Sequence, residues 1–511
     1  MPASLRSGSA VPRPVRAVVI VFAASMPMRE QPAHAQWSEP GVQSLRTVDS
    51  VEFGDLFGWL VLPLGDVNSD GVGDFVAGAP FSSAGGGSSG GRISVRSGAT
   101  GDELWFDFTG ITSAIHGYTL EAFRDVDGDG AMDFFAAAPF NGASGGIVRL
   151  YSGRTGVVLH PFSVLPNSNL GTSITASGDF NGDGVNDIAI GAPSDDAVGP
   201  NAGRVYVYSG VDFSLITFIN PPERSLGSFG DCLEFIGDIS VPPDGRDELA
   251  AGIRLSGSNP PGKIYALSYN GTSTTIQYTI QPLTLPGALE SDRLAGGRDV
   301  NGDGVNDLLL GQLSANIATL HSGATGAIIH TFTGETSSTF GSGSLIPDIN
   351  GDCVPDVAIG ARGYDGGASN GGRVYLFSGA SGSLLRTMTC IAASRAFGAD
   401  VKAFGDLNGD GGIDFLVGAS GSSTGGPGRV EIMAGTPPPA EDCPADFVPC
   451  GGSGAVDVND LLGVISAWGP CPVPCPPRCP ADIAPAGPPQ GDCQVNVNDL
   501  LMVITNWGPC P

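Results

Sequence analysis

Residues Asp179 to Pro193 read DFNGDGVNDIAIGAP. Oxygen-bearing side chains fall at relative positions 1, 3, 5 and 9 of this stretch: Asp179, Asn181, Asp183 and Asp187. Gly184 holds position 6. A hard cation such as calcium takes about 6–8 oxygens, and a glycine at position 6 permits the sharp bend that gathers them. A helical calcium hand closes with a bidentate Glu at position 12, but here that position is Ile190, inside a β-prone run. The carboxylate at position 9 is therefore expected to close the site, and the loop is expected to run into a strand.

The pattern recurs along the chain. It starts again at Asp66 (Asn68, Asp70, Asp74), Asp125 (Asp127, Asp129, Asp133) and Asp299 (Asn301, Asp303, Asp307). Two more copies start at Asp348 (Asn350, Asp352, Asp356) and Asp406 (Asn408, Asp410, Asp414). A degraded copy at Asp238 carries an insertion and has Glu248 where the closing Asp belongs. In the copy at Asp348 the loop glycine is replaced by Cys353, which is expected to make that site the weakest of the six. Seven units spaced by roughly 50–60 residues match the blade length of a β-propeller. The expected fold is all-β: a seven-bladed propeller over residues 36–436, with calcium in about six loops.

Each unit contains four strand-like pieces. The first is expected to end near a Phe-Gly or similar pair: Phe57-Gly58, His116-Gly117, Leu170-Gly171, Phe229-Gly230, Phe340-Gly341 and Phe397-Gly398. The second follows the acidic loop and ends near Gly-Ala-Pro. The third, as in GRVYVYSG (Gly203 to Gly210), alternates apolar and polar residues as a strand with one packed face would. The last unit stops at Gly435 without a fourth strand, while an orphan strand, Ser44 to Val48, precedes the first unit. The N-terminal strand is expected to complete the seventh blade, closing the ring and removing exposed sheet edges.

Phe-Gly, then Asp-x-Asn-Gly-Asp-Gly-x-x-Asp, then Gly-Ala-Pro resembles the FG-GAP repeat of integrin α-subunit propellers. The resemblance covers about residues 40–436 and implies calcium in the blade loops and ligand recognition on one face of the ring. Gly311-Gln312-Leu313 departs from Gly-Ala-Pro, and no part of the chain resembles an integrin stalk or membrane anchor.

Composition narrows the function. Of 511 residues, 52 are Asp or Glu against 24 Lys or Arg, a formal net charge of −28. Nucleic acid is excluded as a partner, because phosphate binding needs clustered cations. Residues 1–35 have the layout of a secretory signal peptide: Arg6, Arg13 and Arg16, then an apolar stretch, then Ala33-His34-Ala35 as a cleavage site. No later stretch is apolar enough for a membrane span, so a secreted or surface-displayed protein is expected.

After a Pro-rich linker at 437–442, residues 443–511 hold two copies of a different repeat, each ending in Asp-Leu-Leu-x-Val-Ile-x-x-Trp-Gly. Apolar residues at i, i+3, i+4 and i+7 describe a short amphipathic helix stopped by glycine. The pair resembles a cysteine-bracketed dockerin, which implies a cohesin-like or cell-envelope partner. By position, Asp446, Asp457 and Asp460 match the ligands of the first dockerin loop, and Asp482, Asp492, Asn496 and Asp499 those of the second. Both loops are lengthened and lack the Asp-x-Asn-x-Asp start. Seven of the ten cysteines lie here. Bracketing suggests Cys443 with Cys471 and Cys479 with Cys510, leaving Cys450, Cys475 and Cys493 undecided. Cys471, Cys475 and Cys479 also have zinc-like spacing, but an exported chain without nearby histidine favours disulfides. Few contacts are expected to cross from this part to the ring.

Two functional classes follow. One is a non-catalytic binding or adhesion module with a protein or polysaccharide ligand on the propeller, docked through its tail. The other is a secreted polysaccharide lyase or hydrolase. Paired catalytic acids would be two special residues in a cleft, not six equivalent sets. His116, His160, His321 and His330 fall at strand-like repeat positions, where packing is the expected role, and no nucleophile elbow is present.

Overall fold

The computed structural model describes residues 37–437 except 141–144, 163–166, 223–226, 256–261, 282–293 and 422–426, together with four short strands further on. The expected signal peptide, most of the linker and the helices of the dockerin-like part lie outside the described residues.

Seven four-stranded antiparallel sheets follow one another along the chain. Blade one is β2 (Val61–Gly65), β3 (Asp74–Ala79), β4 (Arg92–Arg96) and β5 (Glu103–Phe108). Blade two is β6 (Thr119–Phe123), β7 (Asp133–Ala138), β8 (Ile147–Tyr151) and β9 (Val158–Phe162). Blade three is β10 (Ile174–Gly178), β11 (Asp187–Ala192), β12 (Arg204–Tyr208) and β13 (Leu215–Ile219). Blade four is β14 (Gly227–Gly237), β15 (Glu248–Leu255), β16 (Lys263–Tyr269) and β17 (Thr274–Ile280). Blade five is β18 (Leu294–Arg298), β19 (Asp307–Gln312), β20 (Ile317–His321) and β21 (Ile328–Thr333). Blade six is β22 (Phe340–Ile346), β23 (Asp356–Ala361), β24 (Arg373–Phe377) and β25 (Leu384–Thr389).

The seventh sheet runs β1 (Ser44–Phe53), β28 (Pro427–Met433), β27 (Asp414–Ala419), β26 (Phe397–Gly405). The N-terminal strand does supply the missing outer strand, pairing Val48 with Val430. Ser44 and Thr47 donate to the buried Glu431 at 2.7 and 2.6 Å, and Arg429 meets Asp49 at 2.6 Å.

Burial explains which strands show a pattern. Every second strand whose burial is described along its whole length, such as β11, is buried at all six positions because a blade lies on either face. Third strands are also buried on both faces, as in β4 and β24, so the expected single packed face is corrected. Strict alternation appears in the outer strand β5, and the other outer strands are likewise part exposed. The Phe-Gly pair opens the first strand rather than ending it: Phe340 and Phe397 are the first residues of β22 and β26.

The glycines of Phe-Gly and Gly-Ala-Pro join neighbouring blades. A Cβ on Gly78 would fall on the carbonyl oxygen of Gly117, one on Gly191 on that of Gly230, and one on Gly360 on that of Gly398. The same contact between Gly418 and Gly58 closes blade seven on blade one. The motif is thus the close backbone approach between blades, which only a residue without Cβ permits.

Beyond the ring, β29 (Ala455–Val456) pairs with β32 (Gly508–Pro509), and β30 (Gly469–Pro470) with β31 (Gln494–Val495). Each ladder joins one tail repeat to the other. No helix among the described residues is long and apolar enough to cross a membrane.

Candidate metal centres

Each acidic loop joins the first strand of a blade to the second. In blade three, Asp179 at position 1 accepts the amides of Gly182 (2.7 Å), Asp183 (3.1 Å) and Gly184 (2.6 Å). Position 6 takes a left-handed backbone, with φ from +85° to +88° at Gly71, Gly130, Gly184, Gly304 and Gly411. Asp183 caps the turn by accepting the amide of Val185 at 3.0 Å. The loop backbone therefore holds its carboxylates in a ring of amides.

The position 9 aspartates are the first residues of the second strands, and all six (Asp74, Asp133, Asp187, Asp307, Asp356, Asp414) are fully buried. Burial raises the carboxyl of each above its ordinary range, and the other loop aspartates add to it. Asp133, Asp187 and Asp356 are pushed up to about 6. A bound cation would reverse that effect by supplying the opposite charge. At the solvent-exposed end, Asp125 is held below its ordinary range, chiefly by the amide of Gly130.

In blades two and six the acids converge most tightly. Ligand oxygens of Asp125, Asp127 and Asp133 lie within 4.8 Å of one another, as do those of Asp348, Asp352 and Asp356. Among the described residues these are the two groups of three acidic ligands that close. Every intact loop except that of blade two has an Asn at position 3, and Asn68, Asn181, Asn350 and Asn408 donate their amides to Asp70, Asp183, Asp352 and Asp410 at 2.8–2.9 Å. Asn301 of blade five donates instead to Asp307 at 3.3 Å. Cys353 keeps the loop geometry, accepting φ +60° and donating its amide to Asp348 at 2.6 Å, so the blade-six loop is as well formed as its neighbours. Carboxylate and amide oxygens on a preformed turn suit a hard divalent cation.

The degraded loop of blade four closes without such a set. Glu248 accepts the Ile239 amide at 2.7 Å and the Ser240 and Ser268 hydroxyls. Arg246 donates to the Asn181 carbonyl at 3.1 Å, so a guanidinium ties this loop to the one in blade three.

Sequence reasoning missed one set of supporting residues, the glycines after the third strands, preceded by serine in five of the six intact blades and by Ala434 in blade seven. The amides of Gly98, Gly153, Gly210, Gly323, Gly379 and Gly435 donate to the position 9 aspartates at 2.8–3.2 Å. The hydroxyls of Ser97, Ser152, Ser322 and Ser378 reach the position 5 aspartates at 3.2–3.4 Å. A Cβ at Gly98, Gly153, Gly210, Gly323 or Gly379 would fall on the carbonyl oxygen at position 8. The recurrence of SG after five of the seven third strands was the available signal.

Four of the five histidines lie among the described residues, and these pack. His116 is fully buried beside Tyr151, His160 packs against Phe162 and Phe213, and His321 and His330 bond to the carbonyls of Gly326 and Gly379.

Fold and loops together define a class, a closed seven-bladed propeller with an oxygen-rich acidic loop at the base of six blades. The family model "FG-GAP repeat" matches two of its stretches, residues 57–95 and 170–208. The chain is similar to integrin α subunits. It is 28% identical to integrin alpha-5 of Xenopus laevis over 230 residues, which is 42% of this chain and 21% of that one. It is 36% identical to integrin alpha-4 of Xenopus laevis over 162 residues, 29% and 15% of the two chains. It is 30% identical to integrin alpha-V of Gallus gallus over 175 residues, 32% and 16%. The matches thus span about a fifth or less of those relatives. A solved structure, the Cps50 (Swd1) β-propeller domain of Myceliophteria thermophila, aligns at a TM-score of 0.47 with 11% identity, over 77% of this chain and all of that one.

Proposed function

We propose that this chain is an exported, calcium-stabilised propeller that acts as a non-catalytic binding or adhesion module and is attached through its dockerin-like tail. The observation that carries the reading is the equivalence of the acidic loops. Carboxylates recur at the same register in six blades, each braced by the amide of a glycine after its third strand, as structural sites would be. A catalytic pair would break that equivalence in one blade. The similarity to integrin α subunits supports a recognition role, with a protein or polysaccharide as ligand. The signal-like residues 1–35 support export, and the tail repeats support a cohesin-like or envelope partner.

The test incubates purified protein, in calcium, with arrays of glycans and extracellular proteins, and in parallel with soluble polysaccharides. Saturable, chelator-sensitive binding without new reducing or unsaturated ends is expected. New chain ends would establish the polysaccharide-active enzyme instead.

A further inference from the structure

The cysteines of the ring divide into two kinds. Cys232, in β14, and Cys390, just after β25, are buried thiols, 3% and 4% exposed. Cys353 is exposed, and it is disulfide-bonded. It occupies loop position 6 of blade six, where five of the six intact loops have glycine. At each of those glycines an added Cβ would meet nothing within 4 Å, so a side chain at this position projects away from the ring. A residue with a Cβ takes up a left-handed backbone there at an energetic cost that glycine avoids.

The ring offers this sulfur no partner, since its two other cysteines are thiols. The chain has ten cysteines, and the seven others all lie between 443 and 510. We infer that Cys353 is bonded to one of those seven, so that the tail is covalently strapped to the cation-loop side of blade six. The number of cysteines agrees. Seven is odd, and the pairs Cys443–Cys471 and Cys479–Cys510 would leave three. Cys353 makes eight, enough for four disulfides. The chain also leaves the ring beside this place: Thr436 accepts from Arg386 of β25 at 2.7 Å, and Pro437 lies against Gly412 of the neighbouring cation loop. From there Cys443 is six residues on, a reach of up to about 20 Å.

The bond forms by exchange with a disulfide oxidant. One thiolate attacks it, the second displaces the mixed disulfide, and the oxidant leaves as a dithiol carrying the two electrons. The strap gives the molecule a polarity. One bond ties the tail to the cation-loop side, the side opposite the loops between second and third strands. It also replaces the expectation that few contacts cross the linker with one covalent crossing.

The test uses the full chain, prepared with a glutathione redox buffer so that the outcome does not depend on the reading of export. The linker at 437–442 is nicked with a protease, and the products are run with and without reductant. Ring and tail are expected to stay together until reduced, and mass spectrometry of the unreduced digest is expected to join the Cys353 peptide to a tail peptide. Cys353→Gly restores the residue of the other loops, so the ring folds. In that variant the nicked pieces are expected to separate without reductant, and one tail cysteine becomes alkylatable. Alkylation of Cys353 in the native, unreduced chain would overturn the inference, as would a Cys353–Cys353 link between two copies.

Discussion

Replacing Asp187 and Asp183 in turn separates the two jobs of a cation loop. Asp187 is fully buried and accepts the amides of Asn181 and Gly210, each at 3.0 Å. Asp187→Ala strands both donors, at about 1–3 kcal/mol each. Losing a carboxylate that burial disfavours offsets part of this, so a net loss of about 2–3 kcal/mol is expected with no cation present. Asp183 lies on the exposed side, where its bond to Val185 is solvated. Asp183→Ala should then change stability by less than about 0.5 kcal/mol in chelator. In calcium at about a hundredfold over its dissociation constant, each variant also forfeits one site, about 2.7 kcal/mol. Urea unfolding of wild type and both variants, in excess chelator and in calcium, measures the four differences. An equal loss for both variants in chelator would refute the division of roles. So would an Asp183→Ala loss that calcium does not enlarge.

Three further outcomes are expected. Gly210→Ala sets a Cβ against the Asn186 carbonyl and should destabilise the protein by about 1–3 kcal/mol, whereas Gly184→Ala meets open space and bears only its backbone strain; thermal melts of the two should differ in that order. Deleting residues 37–53 exposes the edge of β28 and strands the buried Glu431, so light scattering should detect self-association that the full chain lacks. Glu121 of β6 and Glu234 of β14 accept from neighbouring residues of β10, Ala176 and Ser177, and act on one another and on Lys402, and burial pushes them up to about 8 and about 7. The folded state therefore holds protons that the unfolded state releases, so these groups withdraw stability as pH rises from about 4.5 to 8. Glu121→Gln with Glu234→Gln should leave stability unchanged near pH 4 and raise it at pH 8.5, and a gap of the opposite sign would refute that assignment.

Much of this molecule was legible because its repeats are strong. Aspartates at fixed spacing located each loop, and the Phe-Gly and Gly-Ala-Pro glycines marked blade contacts that tolerate no Cβ. The orphan strand at Ser44 announced the closure of the ring. Less was legible where a strand has no apolar alternation. β10 reads Ile-Thr-Ala-Ser-Gly, and the first strands pack around the axis and present polar groups there, such as Ser177 to Glu234 at 3.3 Å. That is why the Phe-Gly pair was placed at the wrong end of the first strand. The glycine braces were hidden for another reason. Their partners lie across a turn about twenty residues away, and only folding brings Gly210 to Asp187. Cys353 looked like damage to a loop, because spacing alone does not show which way a side chain projects.

The central claim is that the acidic loops hold cations that stabilise the ring. Calorimetric titration of calcium into chelator-treated protein, read beside its melting curve, tests it most directly. About six calcium ions per chain are expected, one for each intact loop, with a melting temperature that rises on calcium and barely responds to magnesium. A chain that takes up no calcium and melts at the same temperature in excess chelator would contradict it.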